Sequence, residues 1–390
     1  MLTVIQNNPI AVKDGNVFVD RKFVSGMKWF ANKLSFPITT VHPSVTSLEL
    51  VMDGVWIPLK DLGFNVMCMD LSESRCDSLE EIAKQISRSR LVYTSMHHIA
   101  AMALKLSVPY ILMRECELGT QLAIARNSIN SSLRGLVRVG RVVARHYSED
   151  IRVMRGARVI HCNGFPVYDE SLRFNSNCLL YLDSRVTSSD LISDGQLNER
   201  LFKAGQRKTL RVLYSGRYER IKGVLDALRV VIECQRMGLD IEFHAFGQGS
   251  LLSELNRMAS FAPIPGKIHI NDAIPFPQLV DRSREFDLFL SCHIQADPSC
   301  TYLETFGAGL PIVGYGNKMF ERLCEVSNAG VATRIGNPRL VADQIAILCR
   351  DRSSLVRLSR LARSFCADHT FEKEFSLRAD SLQNAYAEYC

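Results

Sequence analysis

The chain has 390 residues, 47% of them apolar and 23% charged, with 13 prolines and 23 glycines. At roughly 150 residues per domain this excludes a small module and any long disordered stretch, and makes two domains the expectation. Lysine plus arginine exceed aspartate plus glutamate by 47 to 41, a net +6 too slight to mark a nucleic-acid binder by itself.

The 12 cysteines are scattered singly, with no C-x-x-C pair and no cysteine–histidine cluster at zinc-finger spacing. Neither a disulfide framework nor a structural zinc finger is indicated, and a reducing cytosol fits best. The opening MLTVIQNNP lacks a basic region followed by a long apolar one, so no export signal is expected. The most apolar stretch, 91–113, is interrupted by His97, His98, Lys105 and Pro109 and does not read as a membrane span. Any membrane contact is therefore expected to be peripheral.

In chain order, short apolar runs at 2–6, 38–42, 64–70, 91–94, 110–113 and 159–162 predict buried strands. Helical spacing at 79–88 and 99–106 falls between them, the β-α-β rhythm of a parallel sheet. Residues 185–208 are polar with weak periodicity and mark the junction between domains. Beyond it the rhythm restarts. Strands are predicted at 210–214, 241–246, 267–270, 288–291 and 312–315, alternating with helices at 224–237, 251–258, 277–283 and 301–307. No internal repeat or low-complexity tract interrupts this pattern. Two α/β domains on one linker usually place a ligand near the carboxyl ends of their strands.

Three segments carry the chemistry. In Ser215-Gly216-Arg217-Tyr218-Glu219-Arg220-Ile221-Lys222-Gly223 a strand ends in glycine before two spaced cations and a helix. Such a turn admits an anion, with Arg217 a planar fork and Lys222 a point charge; the plain alternative is a solvated turn with surface cations. Phe246-Gly247-Gln248-Gly249-Ser250 again joins strand to helix, either as a ligand loop or as an ordinary tight turn. In the run from Asp297 to Val313, a helix beginning near Ser299, Cys300, Thr301 and Tyr302 offers free N–H groups. Glu304 stands about one turn in, suited to a ribose diol or, alternatively, to a helix-stabilising acid.

The S-G-R-x-x-x-x-K-G run at 215–223 and the Y-L-E-T-F-G-A-G-L-P-I-V block at 302–313 resemble the donor-binding domain of the retaining glycosyltransferases of the GT-B fold, glycosyl transferases group 1 (family 4-like). The resemblance is close over 210–337 and holds in outline elsewhere. It implies an α/β fold of two Rossmann-like α/β/α domains: an acceptor domain at 1–185, a linker at 186–208, a nucleotide-sugar domain at 209–370, and a helix at 371–390 crossing back to the first. It further implies that Gly216, Arg217, Lys222 and Gly247 surround a diphosphate. Amides of Ser299, Cys300, Thr301 and Tyr302 would support the phosphates, and Glu304 would take the ribose. One departure is plain: the family's first glutamate, eight residues before Glu304, is Ala296 here, and Asp297 is the nearest acid.

Relatives also carry a histidine near the transferred sugar, at about the place of Glu115 here. Glu115 is thus a candidate to stabilise charge at the sugar carbon or to accept a proton, with a structural pairing of Arg114 to Glu115 or Glu117 as the alternative. His97 follows the strand at 91–94 and is the other catalytic candidate in this half. Between 133 and 147, Arg134, Arg138, Arg141 and Arg145 recur at helical spacing beside apolar positions. With Arg114 they are candidates to face a polyprenyl diphosphate or anionic lipid, or else form a solvated basic face.

The expectation is a cytoplasmic transferase, peripheral on the inner face of a membrane. It would move a sugar from a nucleotide diphosphate sugar to a glycan or lipid-linked acceptor in surface, exopolysaccharide or lipopolysaccharide biosynthesis. No metal or other cofactor is required by that scheme, and no nucleic-acid partner is expected. The alternatives are a GT-B nucleotide-sugar epimerase and a non-catalytic nucleotide-sugar or glycan-binding subunit.

Overall fold

The computed structural model describes residues 1–45, 53–71, 76–127 and 132–388. Two compact units share the chain: Met1–Tyr181 with Lys373–Cys390, and Leu182–Glu372. The first is therefore discontinuous in sequence and the second is an uninterrupted insert.

Unit 1 contains β1 (Leu2–Ile5), β2 (Ala11–Lys13), β3 (Asn16–Asp20), β4 (Ile38–His42), β5 (Gly54–Pro58), β6 (Asn65–Cys68), β7 (Leu91–Thr94), β8 (Tyr110–Arg114), β9 (Val159–Asn163) and β10 (Cys178–Tyr181). Seven of them form one sheet in the order β10-β9-β8-β7-β1-β4-β6, with every pairing parallel. Strands β1, β4, β7, β8 and β9 are buried along their whole length, as a sheet covered on both faces requires.

A small antiparallel sheet, β2-β3-β5, was not expected. Its hairpin turns at Asp14–Gly15, both at positive φ, the backbone that favours glycine in a two-residue connection.

The helix Phe371–Ala387 belongs to unit 1 from Lys373 onward. Its Arg378 is buried against the rings of Phe30, Tyr93, Tyr181 and Phe375, the nearest centroid at 4.4 Å, and donates to Tyr93 Oη at 2.8 Å. A guanidinium stripped of water is stabilised there by ring quadrupoles and a hydroxyl.

Unit 2 holds β11 (Leu210–Ser215), β12 (Ile241–Phe246), β13 (Ile268–Asn271), β14 (Leu288–Ser291), β15 (Ile312–Tyr315) and β16 (Gly330–Thr333), ordered β13-β12-β11-β14-β15-β16 and all parallel. Alternate residues of β12 feed the core through Ile241, Phe243 and Ala245, leaving Glu242 and His244 on the other face.

The polar junction 186–208 carries regular structure. It contains the helix Asp194–Gln206, opened by a capping box between Ser193 and Gln196 and buried through Leu197 and Leu201 beside Ile192. Its Arg200, itself buried, donates to the carbonyls of Ala308 (2.5 Å) and Gly309 (2.6 Å). A cation thus satisfies the carboxyl end of the helix Cys300–Gly307.

Among the described residues, no helix is long and apolar enough to cross a membrane.

Candidate functional sites in the two units

In unit 2 the candidates follow the carboxyl ends of β11, β12 and β14. After β11 the chain turns at Gly216 and runs to Gly223, a left-handed residue (φ +63) where any Cβ would lie 1.8 Å from the Cys292 carbonyl. Only glycine closes that turn. Tyr214 Oη donates to the carbonyls of Arg217 and Lys222, both at 3.3 Å, pinning the two ends of the loop from beneath.

The second glycine loop packs directly on the first. Tyr218 N donates to Gln248 O at 2.8 Å, and a Cβ on Gly247 would stand 2.0 Å from Gly216 O. Close loop-to-loop packing therefore requires glycine at 247.

Arg217 is exposed and makes no salt bridge among the described residues. Lys222 is buried, and its Nζ donates to Asp297 Oδ2 at 2.9 Å. The cation and the acid thus form one pair. Asp297 stands two residues before Ser299, the N-cap of the helix Cys300–Gly307, whose side chain makes no capping hydrogen bond. The helix amides accordingly lack that internal acceptor. Cys300 Sγ lies 3.6 Å from Asp183 Oδ2. Tyr302 is buried and receives Asn317 Nδ2 at 3.2 Å. Thr301 is half-buried in the first turn. Glu304 accepts from Arg185 Nε at 2.6 Å, and the Arg185 guanidinium lies 4.1 Å from the centre of the Phe276 ring.

Sequence reasoning missed His293. It follows β14, is 1% exposed, and among the described residues neither ring nitrogen has a hydrogen-bond partner. Burial, with the Lys222 charge adding and Asp297 opposing, holds its imidazole down at about 3 against an ordinary 6.5. Nothing in the local sequence flags it, since its neighbours come from segments some 70 residues away and from the run that follows. Arg185 was likewise overlooked, because it lies in the stretch read as the junction.

In unit 1 a cavity of about 1100 Å³ is lined by His97, Glu115, Arg138, Arg141 and Arg145, among others. The structure thus brings candidates from three separate segments to one place. Glu115 is exposed. His97 Nδ1 lies 3.0 Å from Oδ1 of Asp150, which is fully buried and also approached by Arg145 Nε (3.6 Å) and His146 Nδ1 (3.7 Å). Burial pushes the Asp150 carboxyl up, but His97, Arg145 and His146 outweigh that and hold it below its ordinary 3.8. A buried carboxylate this close to one imidazole nitrogen favours one orientation of the ring.

Asp150 is a third residue that sequence reading missed. It ends a π-helical turn, 146–150, that follows the basic helix Ser132–Arg145. Such turns are rare and frequent at functional sites.

Arg114 lines the same cavity and is held from within the fold. Its guanidinium is buried, donating to Glu170 Oε2 (2.5 Å) and Ser171 Oγ (2.7 Å), so its charge is neutralised inside the fold. Its partner is Glu170, not Glu115 or Glu117. Arg138 and Arg141 are exposed, as are Leu136, Val137 and Tyr147 nearby. Arg134 shares their helix, but its side chain lies outside the described set.

Two parallel Rossmann-like sheets, with candidate residues at strand carboxyl ends in each, define the GT-B fold. The chain matches solved structures of that class over its whole length. It superposes on HepE of Anabaena, solved with UDP, with TM-score 0.65 at 11% identity, covering 100% of this chain and 98% of that one. HepE has also been solved with UDP-glucose. WaaG, a glycosyltransferase involved in lipopolysaccharide biosynthesis, matches with TM-score 0.64 at 11% identity, covering 98% and 99%. Sucrose-phosphate synthase of Thermosynechococcus elongatus matches with TM-score 0.66 at 10% identity, covering 100% of both chains. At these identities the likeness is one of fold. No family model matches the chain, and no curated protein does.

Proposed function

We propose that this chain is a retaining glycosyltransferase that takes a sugar from a nucleotide diphosphate sugar and passes it to a glycan or lipid-linked acceptor in surface polysaccharide biosynthesis. The observation that carries the reading is in unit 2: Lys222 and Asp297 are paired beside the uncapped helix that presents Glu304, with exposed Arg217 on the adjoining loop.

Bond cleavage leaves charge on the departing diphosphate. Arg217, Lys222 and the helix amides are the groups suited to stabilise it. Glu304, steadied by Arg185, suits the ribose hydroxyls. In unit 1, His97 steadied by Asp150 is the candidate to handle the acceptor proton, with Glu115 a further carboxylate in the same cavity. Arg138, Arg141 and Arg145 suit an acidic acceptor or an anionic headgroup, which fits a chain working at the inner face of a membrane.

The test is a thermal-shift screen of wild type and Arg217→Ala against UDP, GDP, ADP and TDP, since a ligand that binds only the native state raises Tm. Stabilisation by one nucleotide, lost in the variant, is expected; UDP is the first to try. No shift with any of the four counts against the donor site. Release of an epimerised sugar nucleotide without acceptor assigns the epimerase reading instead.

A further inference from the structure

A second cluster lies away from both sites, on the face of β12 opposite the core. Glu242 and His244 are two residues apart on β12 and so share a face. His269 sits directly across from His244 on β13. One ligand atom from each of the three lies within 4.8 Å of the other two, and all three residues are half-buried. His244 Nε2 and Glu242 Oε1 are 2.7 Å apart, and the two imidazole centroids are 4.2 Å apart.

We infer that Glu242, His244 and His269 form a binding site for a divalent transition metal of the zinc class. Two imidazoles and one carboxylate are a donor set that such ions accept, with a fourth position left for water. At metal–nitrogen distances of about 2.0–2.1 Å, tetrahedral ligands stand about 3.3 Å apart, so side-chain rotation closes the cluster without moving the strands.

The surroundings favour this. The competing cation is Arg211, with Nε 3.6 Å from Glu242 Oε1. It has another resting place on Glu285, whose carbonyl it already reaches at 3.0 Å and whose carboxylate lies 3.7 Å away. Phe286 packs edge-on against His244 at 5.2 Å and limits solvent there.

The site has a mechanical consequence. Strand β13 is an edge strand, and its last residue, Asn271, presents a carbonyl that receives Tyr218 Oη at 2.7 Å and Gly247 N at 3.2 Å. A metal clasping β13 to β12 steadies the strand on which both glycine loops rest. It touches no group assigned to the transfer reaction and does not depend on that assignment.

The test uses the full chain, stripped with a chelator and titrated with Zn²⁺ and Co²⁺ by calorimetry and visible absorption. Wild type is compared with His269→Gln and Glu242→Gln, each checked for folding by circular dichroism. The expected result is one equivalent in wild type with a nitrogen and oxygen ligand spectrum, a raised Tm, and at least tenfold weaker binding in both variants. The inference is overturned if wild type takes up no stoichiometric metal or if either folded variant retains the equivalent. A thiolate charge-transfer band would assign the ion to some of the 12 cysteines and overturn it equally.

Discussion

At the scale of single residues, pairs and buried imidazoles set the behaviour of the donor side. Asp297 neutralises Lys222, so Asp297→Asn frees the ammonium for phosphate. It is expected to tighten binding of the nucleoside diphosphate by several-fold, with a steeper salt dependence, in calorimetry at two ionic strengths. Lys222→Ala removes the cation and leaves a largely buried acid unpaired. It is expected to weaken the nucleotide and to cost about 1–3 kcal/mol in urea denaturation. Buried His293 gives a pH signature. The unfolded chain takes a proton near 6.5 and the folded one only near 3, so stability falls as pH drops below about 6.5. His42, held at about 4 by burial although Asn8 O opposes the shift, acts in the same direction. Denaturation at pH 7 and pH 5 is expected to show that loss, reduced by about 1–2 kcal/mol in His293→Asn. Sequence alone singled out Arg217, Lys222 and Glu304 as candidates because each sits in a contiguous run with a readable turn. It did not reach His293, Asp150 or Arg185, whose significance comes only from residues brought to them by the fold.

At the scale of elements, the inner strands of both large sheets were legible because burial on two faces demands unbroken apolar runs, whereas the edge strands β10 and β16, largely half-buried, were not predicted. Less legible was the helix Asp194–Gln206, since only one narrow stripe of it is apolar and the rest is polar surface. Its importance lies at its far side, where Arg200 closes the end of the helix presenting Glu304. Arg200→Ala therefore leaves two carbonyls without their donor. It is expected to lower stability by about 1–3 kcal/mol and to raise KM for the donor, whereas Ser193→Ala at the exposed cap is expected to cost about 1 kcal/mol and leave KM unchanged. The small sheet escaped notice because its first strand has three residues and is mostly exposed. Asp14–Gly15 was the signal that marked its hairpin.

At the scale of the whole molecule, the basic helix Ser132–Arg145 and its exposed Leu136 and Val137 bear on where the protein works. Replacing Arg138 and Arg141 with glutamine is expected to reduce sedimentation with anionic vesicles at low salt, with no change on neutral vesicles; equal sedimentation of variant and wild type removes the membrane reading. The discontinuity of unit 1 reaches further, into how the chain is made. A ribosome releases all of unit 2 before it releases Arg378, so for the whole of that interval the rings of Phe30, Tyr93 and Tyr181 lack the guanidinium they enclose. Unit 2, being contiguous, is free to finish first. A nascent chain halted after Glu372 and before Arg378 thus carries a completed insert and a unit 1 still open where that guanidinium belongs.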